Sequence, residues 1–209
     1  MTRIEQLVAS YPELTVCASE IVAAFDILRD CYRSNGKVLT CGNGGSAADA
    51  EHIVGELMKG YLLKRSISEE IRARLVAASP QDGDYLADHL QGGLPAVSLV
   101  SQTSLLSAIA NDTAADMVYA QQVYAYGQEG DALIGLSTSG NSRNIIHAVQ
   151  VARAGGLRTI GLTGPTGGEL RSLCEVCICV PGDSTPAIQE RHLPIFHVLC
   201  AMLEEEFFA

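Results

Sequence analysis

The fold is decided by the stretch Asp131-Ala-Leu-Ile-Gly-Leu-Ser-Thr-Ser-Gly-Asn-Ser142, in which a short apolar run ends in a polar loop. A helical pattern of apolar residues follows from Asn144 to Ala154. Four further apolar runs of strand length occur at Lys37–Cys41, Pro95–Val100, Leu157–Leu162 and Val176–Val180. Strand-length runs that alternate with helical segments are typical of βαβ units. The sequence therefore predicts a three-layer α/β/α protein with a five-stranded parallel sheet, whose ligands bind beyond the carboxyl ends of the strands.

Two segments add to this pattern within a single predicted domain, residues 1–209. Residues 1–35 show helical apolar spacing and predict extra amino-terminal helices. Residues 62–94 fit the alternation less well, although Ser66–Ala78 is helical. Its apolar residues form one stripe of Ile67, Ile71, Leu75 and Val76. We interpret residues 62–94 as an inserted elaboration that serves as a lid, a subunit contact or a simple surface insertion.

The composition excludes several classes of partner. The 209 residues include 14 basic and 24 acidic side chains, so the formal net charge is −10. Nucleic acids and anionic membranes bind basic surfaces, and we therefore expect neither as a partner. The first residues lack the apolar segment of a signal peptide, and no apolar run approaches the roughly 18 residues of a membrane span. We expect a cytoplasmic protein.

The seven cysteines are expected to be reduced thiols in that compartment. Cys174 and Cys177 form an isolated C-x-x-C, and Cys179 follows in an apolar run. A zinc site of this kind needs a second pair of cysteines at metal spacing, which the chain lacks. We interpret these three cysteines as small apolar core residues, with Cys177 and Cys179 in a buried strand.

Two loops have the composition of phosphate-binding sites. Cys41-Gly-Asn-Gly-Gly-Ser46 lies between a predicted strand and a predicted helix, where glycines let an anion approach the free N–H groups of the helix. Ser137-Thr-Ser-Gly-Asn-Ser142 places four hydroxyl groups before another helix. One Ser or Thr suffices as a helix cap, so four hydroxyl groups favour anion binding.

Two nucleotide-binding motifs match these loops poorly. The spacing Gly42-x-Gly44-x-x-Ala47 approximates a dinucleotide fingerprint, but the acidic residue expected about 20 positions later is absent from Tyr61–Ser66. No Gly-Lys-Ser/Thr follows either loop, which disfavours a P-loop. The sequence therefore favours a small phosphorylated compound as the ligand.

Two pairs of polar residues lie at helical spacing. His52 and Glu56 are four residues apart and share one face of the helix after the first loop. Gln189 and His197 are eight residues apart on a helix that opens with Thr185-Pro186. Two nitrogen and two oxygen ligands suit Zn²⁺, and Glu56 and His197 equally suit a base and an acid. An ordinary surface pair is the alternative for His52 and Glu56.

These motifs occur in the same order in proteins with a sugar isomerase (SIS) domain, and the chain resembles the phosphoheptose isomerases among them. The resemblance extends over nearly the whole chain and rests on Cys41-Gly-Asn-Gly-Gly-Ser46, His52-x3-Glu56, Asn111-Asp112, Ser137-Thr-Ser-Gly-Asn-Ser142, Leu162-Thr-Gly164 and Ile188-Gln-Glu190. It implies a flavodoxin-like SIS domain that interconverts sedoheptulose 7-phosphate and D-glycero-D-manno-heptose 7-phosphate. It also implies a homotetramer with active sites at subunit contacts and, in several members, a zinc ion.

The resemblance implies roles for individual residues as well. The family's metal ligands correspond to His52, Glu56, Gln189 and His197. Its phosphate-binding hydroxyl groups correspond to Ser46, Ser137, Thr138, Ser139 and Ser142. Its other substrate-binding residues correspond to Asn43, Gly44, Glu56, Asn111, Asp112 and Gln189. Isomerisation through an enediol needs a base and an acid, for which Glu56 and His197 are the expected residues.

Three departures from the family pattern bear on the substrate. Where the family often carries a basic residue shortly before an aromatic one, the chain reads Leu57-Met-Lys-Gly-Tyr61. Ala187 stands where Arg or Lys is common, and residues 62–94 are longer than in the shorter members. The alternative function is a noncatalytic SIS tetramer that binds a protein such as the replication initiator. Those relatives lack the carboxyl-terminal histidine, so His197 together with Glu56 favours the enzyme.

Overall fold

The computed structural model describes residues 1–209 and contains one five-stranded sheet. Its strands are β1 (Val38–Cys41), β2 (Ala96–Ser98), β3 (Ala132–Ser137), β4 (Arg158–Thr163) and β5 (Val176–Cys179). All neighbouring strands are parallel, and their order across the sheet is β2-β1-β3-β4-β5. This is the doubly wound order of flavodoxin-like proteins. The predicted α/β fold and its five strands are confirmed.

Helices cover both faces of this sheet. The α-helices of the chain are α1 (Arg3–Ser10), α2 (Ala18–Arg33), α3 (Gly45–Met58), α4 (Glu69–Ala78), α5 (Gly83–His89), α6 (Thr103–Asp112), α7 (Ala120–Tyr126), α8 (Arg143–Ala154), α9 (Leu170–Leu173) and α10 (Thr185–Phe208). One face packs against α1, α2, α3 and α10, and Ile53 and Leu199 belong to that core. The other face packs against α6, α7, α8 and α9, with Val149 in its core. None of the helices has both the length and the apolar character needed to cross a membrane.

The centre of the sheet places the two polar loops side by side. Every residue of β3 is buried, because helices cover both of its faces, and this explains its continuous apolar run. Strand β1 pairs with β3, with Cys41 opposite Gly135. After β1 the chain continues to β2, which lies on one side of β1 in the sheet, and it then returns to β3 on the other side of β1. This reversal makes the gap between β1 and β3 the point where ligands of such sheets bind.

Residues 62–94 contain a helical hairpin of α4 and α5. The predicted helix Ser66–Ala78 begins only at Glu69, because the Ser68 side chain accepts the Ile71 N–H and caps the helix there. No residue of α4 is buried, and Ile71 is 45% exposed. The apolar stripe therefore faces α5 and solvent rather than the core beneath the sheet.

Strand β5 is an edge strand and is less buried than its apolar sequence predicts. Val176, Cys177 and Cys179 are half-buried, and only Ile178 is fully buried. The expectation of a fully buried strand is wrong here, because β5 pairs with β4 on one side and has no neighbour on the other. All the cysteines are free thiols. Burial raises the pKa of Cys177 to about 11, so this thiol stays protonated at neutral pH.

Candidate active site

The loop between β1 and α3 brings a helix amino terminus to the carboxyl edge of the sheet. A Cβ at Gly42 would lie 2.2 Å from the Ser46 carbonyl oxygen, so only glycine allows this turn. Gly44 has a φ of +57°, in the left-handed region that favours glycine. Helix α3 begins at Gly45, and no side chain caps it. Its first N–H groups are therefore available to a ligand.

The loop between β3 and α8 is held by the loop that follows β4. Gly140 has a φ of +68°, and a Cβ there would lie only 2.0 Å from the Gly167 carbonyl oxygen. The hydroxyl oxygens of Ser137 and Ser142 are 2.9 Å apart. Ser142 directly precedes α8, whose amino terminus also lacks a side-chain cap. Close backbone packing thus holds two hydroxyl groups beside a second free helix terminus.

The two loops line one cavity of about 460 Å³ that contains no charged side chain. It is lined by Asn43, Gly44, Gly45, Ser46, Leu136, Ser137, Thr138, Ser142, Thr185 and Gln189. Thr185 is the first residue of α10, so the amino termini of α3, α8 and α10 meet here. Helix N–H groups and hydroxyl groups together bind phosphate. This cavity, called the phosphate cavity below, can therefore hold a phosphate without Lys or Arg.

Most of the residues predicted to bind phosphate line this cavity, but Ser139 does not. The Ser139 hydroxyl accepts the Asn141 N–H at 3.1 Å in an exposed turn. Thr185 lines the cavity and was not predicted as a ligand, because a threonine at the start of a helix is ordinary. Its place beside the two loops follows only from the way α10 packs on the sheet.

Asn144 and Tyr119 support the cavity and were also missed by sequence reasoning. The side-chain amides of Asn43 and Asn144 donate to each other, with both N–O distances at 2.9 Å. The Tyr119 hydroxyl donates to the Gly42 carbonyl oxygen at 2.6 Å and lies 3.3 Å from Oδ1 of Asn43. These contacts join positions far apart in sequence, so no local pattern marks them. They hold the first loop against α8 through Asn144 and against the start of α7 through Tyr119.

A second polar cluster lies farther along α3 and α10. Nε2 of His52 is 3.1 Å from Oε1 of Glu56 and 3.4 Å from Nε2 of His197. The Phe196 ring lies 5.2 Å from the His52 ring, and the Tyr61 ring lies 5.6 Å from the His197 ring. The Glu56 side chain is 14% exposed against 42% for His52, so the carboxylate is the more sheltered group. The structure thus brings together three of the four predicted metal or acid–base residues.

The fourth residue, Gln189, lies at the phosphate cavity instead. A Cβ at Gly45 would be 2.6 Å from Nε2 of Gln189, which places this side chain against the start of α3. His52 lies seven residues after Gly45 on α3, and His197 lies eight residues after Gln189 on α10. These two histidines contact each other. At 1.5 Å of rise per residue, the cavity and the histidine cluster are about 10 Å apart along the helices. Pro194 does not interrupt α10 between them.

The three clustered side chains carry donor atoms of the types that bind zinc, but the distances between these atoms are not those of a tetrahedral zinc site. Ligand atoms bound tetrahedrally to Zn²⁺ lie about 3.3 Å apart, close to the two short contacts of His52. Glu56 and His197 are not within 4.0 Å of each other, so the third distance in this set of donors is longer than the two at His52. Consistently, no group of three His, Cys, Asp or Glu side chains is arranged to hold a metal ion. Zinc binding requires these side chains to move.

The electrostatic setting of His197 suits proton transfer. Burial lowers its pKa, the neighbouring His52 ring lowers it further, and the Glu56 carboxylate raises it. The net effect keeps the imidazole neutral at pH 7. A neutral imidazole can donate its N–H to an oxygen atom or accept a proton from one, and Glu56 supplies a carboxylate base nearby.

Asn111 and Asp112 do not reach the cavity within this chain. They lie exposed at the end of α6, where Nδ2 of Asn111 donates to Oδ1 of Asp112 at 2.8 Å. Neither lines the phosphate cavity. Their role in substrate binding stays a prediction.

Comparison with known proteins agrees with a site that binds phosphate and transfers protons. A family model of the SIS domain matches residues 6–80 and 86–164. The phosphoheptose isomerase of Rhodospirillum rubrum is 39% identical over 189 residues, which are 90% of this chain and 87% of the relative. The phosphoheptose isomerase of Aneurinibacillus thermoaerophilus is 41% identical over 179 residues, which are 86% of this chain and 77% of the relative.

Solved structures agree with these relatives. The phosphoheptose isomerase of Neisseria gonorrhoeae matches with a TM-score of 0.73 at 34% identity, over 95% of this chain and 93% of that chain. The phosphoheptose isomerase of Francisella tularensis matches with a TM-score of 0.74 at 29% identity, over 96% of this chain and 94% of that chain. All four named relatives are enzymes, which favours catalysis over the noncatalytic alternative. The chain therefore belongs to the phosphoheptose isomerase family of SIS-domain proteins and is a sugar phosphate isomerase.

Proposed function

We propose that the enzyme converts sedoheptulose 7-phosphate to D-glycero-D-manno-heptose 7-phosphate. The proposal is supported by the separation of about 10 Å between the phosphate cavity and the histidine cluster, calculated from the helical rise over the seven residues from Gly45 to His52 of α3. A triose phosphate is too short to place its phosphate in one and its carbonyl group at the other. An extended seven-carbon sugar phosphate spans that distance. The names of the curated relatives agree with this substrate.

In the proposed mechanism the phosphate group orients the far end of the sugar. Hydroxyl groups and helix N–H groups hold the phosphate, so that C1 and C2 lie beside Glu56 and His197. Glu56 removes a proton from C1 while His197 donates a proton to the carbonyl oxygen on C2, which gives an enediol. Return of a proton to C2, with loss of the proton on O1, gives the aldose. Glu56 is the base and His197 the acid.

The neutral lining of the phosphate cavity explains how an acidic chain binds this anion. With a net charge of −10, the chain as a whole repels phosphate at long range. Three helix amino termini converge on the cavity and supply a local positive potential without any basic side chain. Sugar phosphates are metabolites of the cytoplasm, and we propose that the enzyme works there.

The test of this function is turnover of sedoheptulose 7-phosphate by purified protein and its variants. We expect Glu56→Gln and His197→Asn each to lower kcat by about 10²- to 10⁴-fold, the usual contribution of general acid–base catalysis. Glu51→Gln is the matched control, because Glu51 lies on the same helix and contacts Ser101 instead of the cluster. Unchanged turnover in both active-site variants would contradict the assigned roles.

Zinc binding is a separate proposal, supported by the donor types of His52, Glu56 and His197, with Gln189 as a fourth ligand after it moves. These residues would hold the ion, which would supply Lewis-acid polarisation of a carbonyl group. We expect about one zinc per subunit by elemental analysis after gel filtration, in line with four-ligand sites. His52→Ala should lose the metal and His89→Ala should keep it. Zinc-free wild-type protein after incubation with the metal contradicts this proposal.

A further inference from the structure

Glu204 is a fully buried carboxylate that the proposed mechanism does not use. It lies on α10, seven residues beyond His197, and accepts three successive backbone N–H groups. These are the N–H groups of Tyr61 at 2.8 Å, Leu62 at 2.7 Å and Leu63 at 3.0 Å. One side chain of α10 thus holds the segment that leaves α3, and with it the Tyr61 ring beside His197.

Arg65 completes this arrangement from the other side. Its Nε donates to Oε1 of Glu204 at 2.8 Å, and both side chains are fully buried. Its Nη1 donates to the Leu57 carbonyl oxygen at 2.7 Å and its Nη2 to the Glu56 carbonyl oxygen at 3.0 Å. The guanidinium group also lies over the Phe208 ring, 4.7 Å from its centroid. Arg65 thus caps the carboxyl terminus of α3 at the residue that carries the expected base.

A buried ion pair is a weak source of stability, because removing both charges from water offsets their attraction. The contacts of this pair are therefore better explained by what they hold in place. Arg65 donates a hydrogen bond to the backbone carbonyl oxygen of Glu56, and Glu204 accepts one from the backbone N–H of Tyr61. The Tyr61 ring lies beside the His197 ring. Neither Arg65 nor Glu204 lines the phosphate cavity.

We propose that the Arg65–Glu204 pair is a positioning device that sets the geometry of Glu56 and His197 for proton transfer. This inference rests on the proposed function, since it assigns the pair to that reaction. A small misplacement of reacting groups lowers the rate of the chemical step far more than it lowers substrate binding. Loss of the pair therefore acts on kcat and leaves KM nearly unchanged, because the phosphate cavity is untouched.

The test is the double variant Arg65→Met with Glu204→Leu, which removes both charges and keeps the apolar volume. Replacement of a buried ion pair by apolar residues is often neutral in itself. Here it also leaves three backbone N–H groups and two carbonyl groups without their partners, so the double variant is expected to be less stable and is assayed below its unfolding temperature. We expect kcat to fall about 10- to 100-fold, with a KM close to that of the wild type. Should the double variant not fold, Arg65→Lys, which keeps the charge beside Glu204 and loses the contacts to the two carbonyl groups, is expected to show the same split.

The matched control is Asp131→Asn. Asp131 is also a buried carboxylate that accepts backbone N–H groups, from Lys37 and Gln128, both at 2.9 Å, and it pairs with the Lys37 side chain. It lies at the amino end of β3, on the edge of the sheet opposite the active site. We expect its loss to lower stability and leave kcat unchanged. A double variant with wild-type kcat, or with a kcat no lower than that of the control, overturns the proposal.

A second measurement does not depend on activity. The chain contains no tryptophan, so Tyr61→Trp provides a single tryptophan beside His197, which can be excited without exciting the tyrosines. In this background, loss of the Arg65–Glu204 pair should shift the emission to longer wavelength and increase quenching by acrylamide, whereas Asp131→Asn should not. If the wild type converts no ketose phosphate, the proposed function fails, and the fluorescence still decides whether the pair positions Tyr61. Unchanged fluorescence overturns the positioning role.

Discussion

Among single residues, His192 is the clearest case of a buried polar group that is only half satisfied. Its Nε2 donates to the Thr163 carbonyl oxygen at 3.2 Å, while its buried Nδ1 has no partner. Burial lowers the pKa of His192 to about 4. The side chain therefore stays neutral in the folded protein over a pH range in which it is protonated in the unfolded chain.

This difference predicts a loss of stability at acid pH. Below the ordinary histidine pKa of about 6.5 the unfolded chain binds a proton that the folded chain does not, so the free energy of unfolding falls as the pH falls towards 4. We expect a contribution of about 2 kcal/mol between pH 7 and pH 5, measured by urea unfolding. His192→Gln should show a smaller loss over this interval, and the exposed His89→Asn should show the wild-type loss. Equal losses in His192→Gln and the wild type would contradict the assignment.

At the level of residues, some of the site could be predicted and some could not. Ser46, Ser137 and Ser142 lie in local motifs whose composition already indicates anion binding. Gln189 lies with the phosphate cavity rather than with His197, because its position depends on how α10 is placed along α3. Arg65 and Glu204 act across 139 positions, and no short motif records such a contact.

Among the elements, the loops after β3 and β4 pack closely, backbone against backbone. The close approach of Gly140 to Gly167 leaves no room for a side chain, and the φ of +68° adds strain for any other residue. We expect Gly140→Ala to lower the free energy of unfolding by about 2–5 kcal/mol, from overpacking together with backbone strain. It should also weaken the binding of inorganic phosphate, measured by calorimetry.

Gly130 is the matched control for this substitution. It has a φ of +89° but no atom within 4 Å of an added Cβ, so Gly130→Ala carries the strain without the clash. Its cost should be about 1–2 kcal/mol, and phosphate binding should not change. Equal losses in the free energy of unfolding for Gly140→Ala and Gly130→Ala would show that the contact between the two loops does not contribute to stability.

Element by element, strand burial was the most predictable feature. The central strands carry continuous apolar runs because both faces are covered, and their observed bounds lie close to the predicted ones. Strand β5 has the same kind of sequence but is an edge strand, since apolar composition does not reveal how many neighbours a strand has. The helical spacing of its apolar residues likewise predicts helix α4. That spacing does not show which surface the apolar residues contact.

In the whole molecule, six of the fourteen exposed large apolar side chains lie in or beside the hairpin of residues 62–94. They are Met58, Leu62, Ile71, Tyr85, Leu86 and Leu90. We propose that the protein is a homotetramer, with Asn111 and Asp112 close to the active site of a neighbouring subunit. Association covers apolar surface that a monomer leaves in water. Light scattering should give four times the 22.1 kDa subunit mass, and a 22.1 kDa species at all concentrations would contradict the tetramer.

In the proposed reaction, the enzyme isomerises a seven-carbon sugar phosphate by moving a proton between C1 and C2. The most direct test is proton NMR of sedoheptulose 7-phosphate incubated with the wild-type protein in D₂O. We predict formation of the aldose with deuterium at C2, because the proton taken up by Glu56 exchanges with solvent before it returns. Recovery of unchanged sedoheptulose 7-phosphate, with no aldose formed, would contradict this reaction.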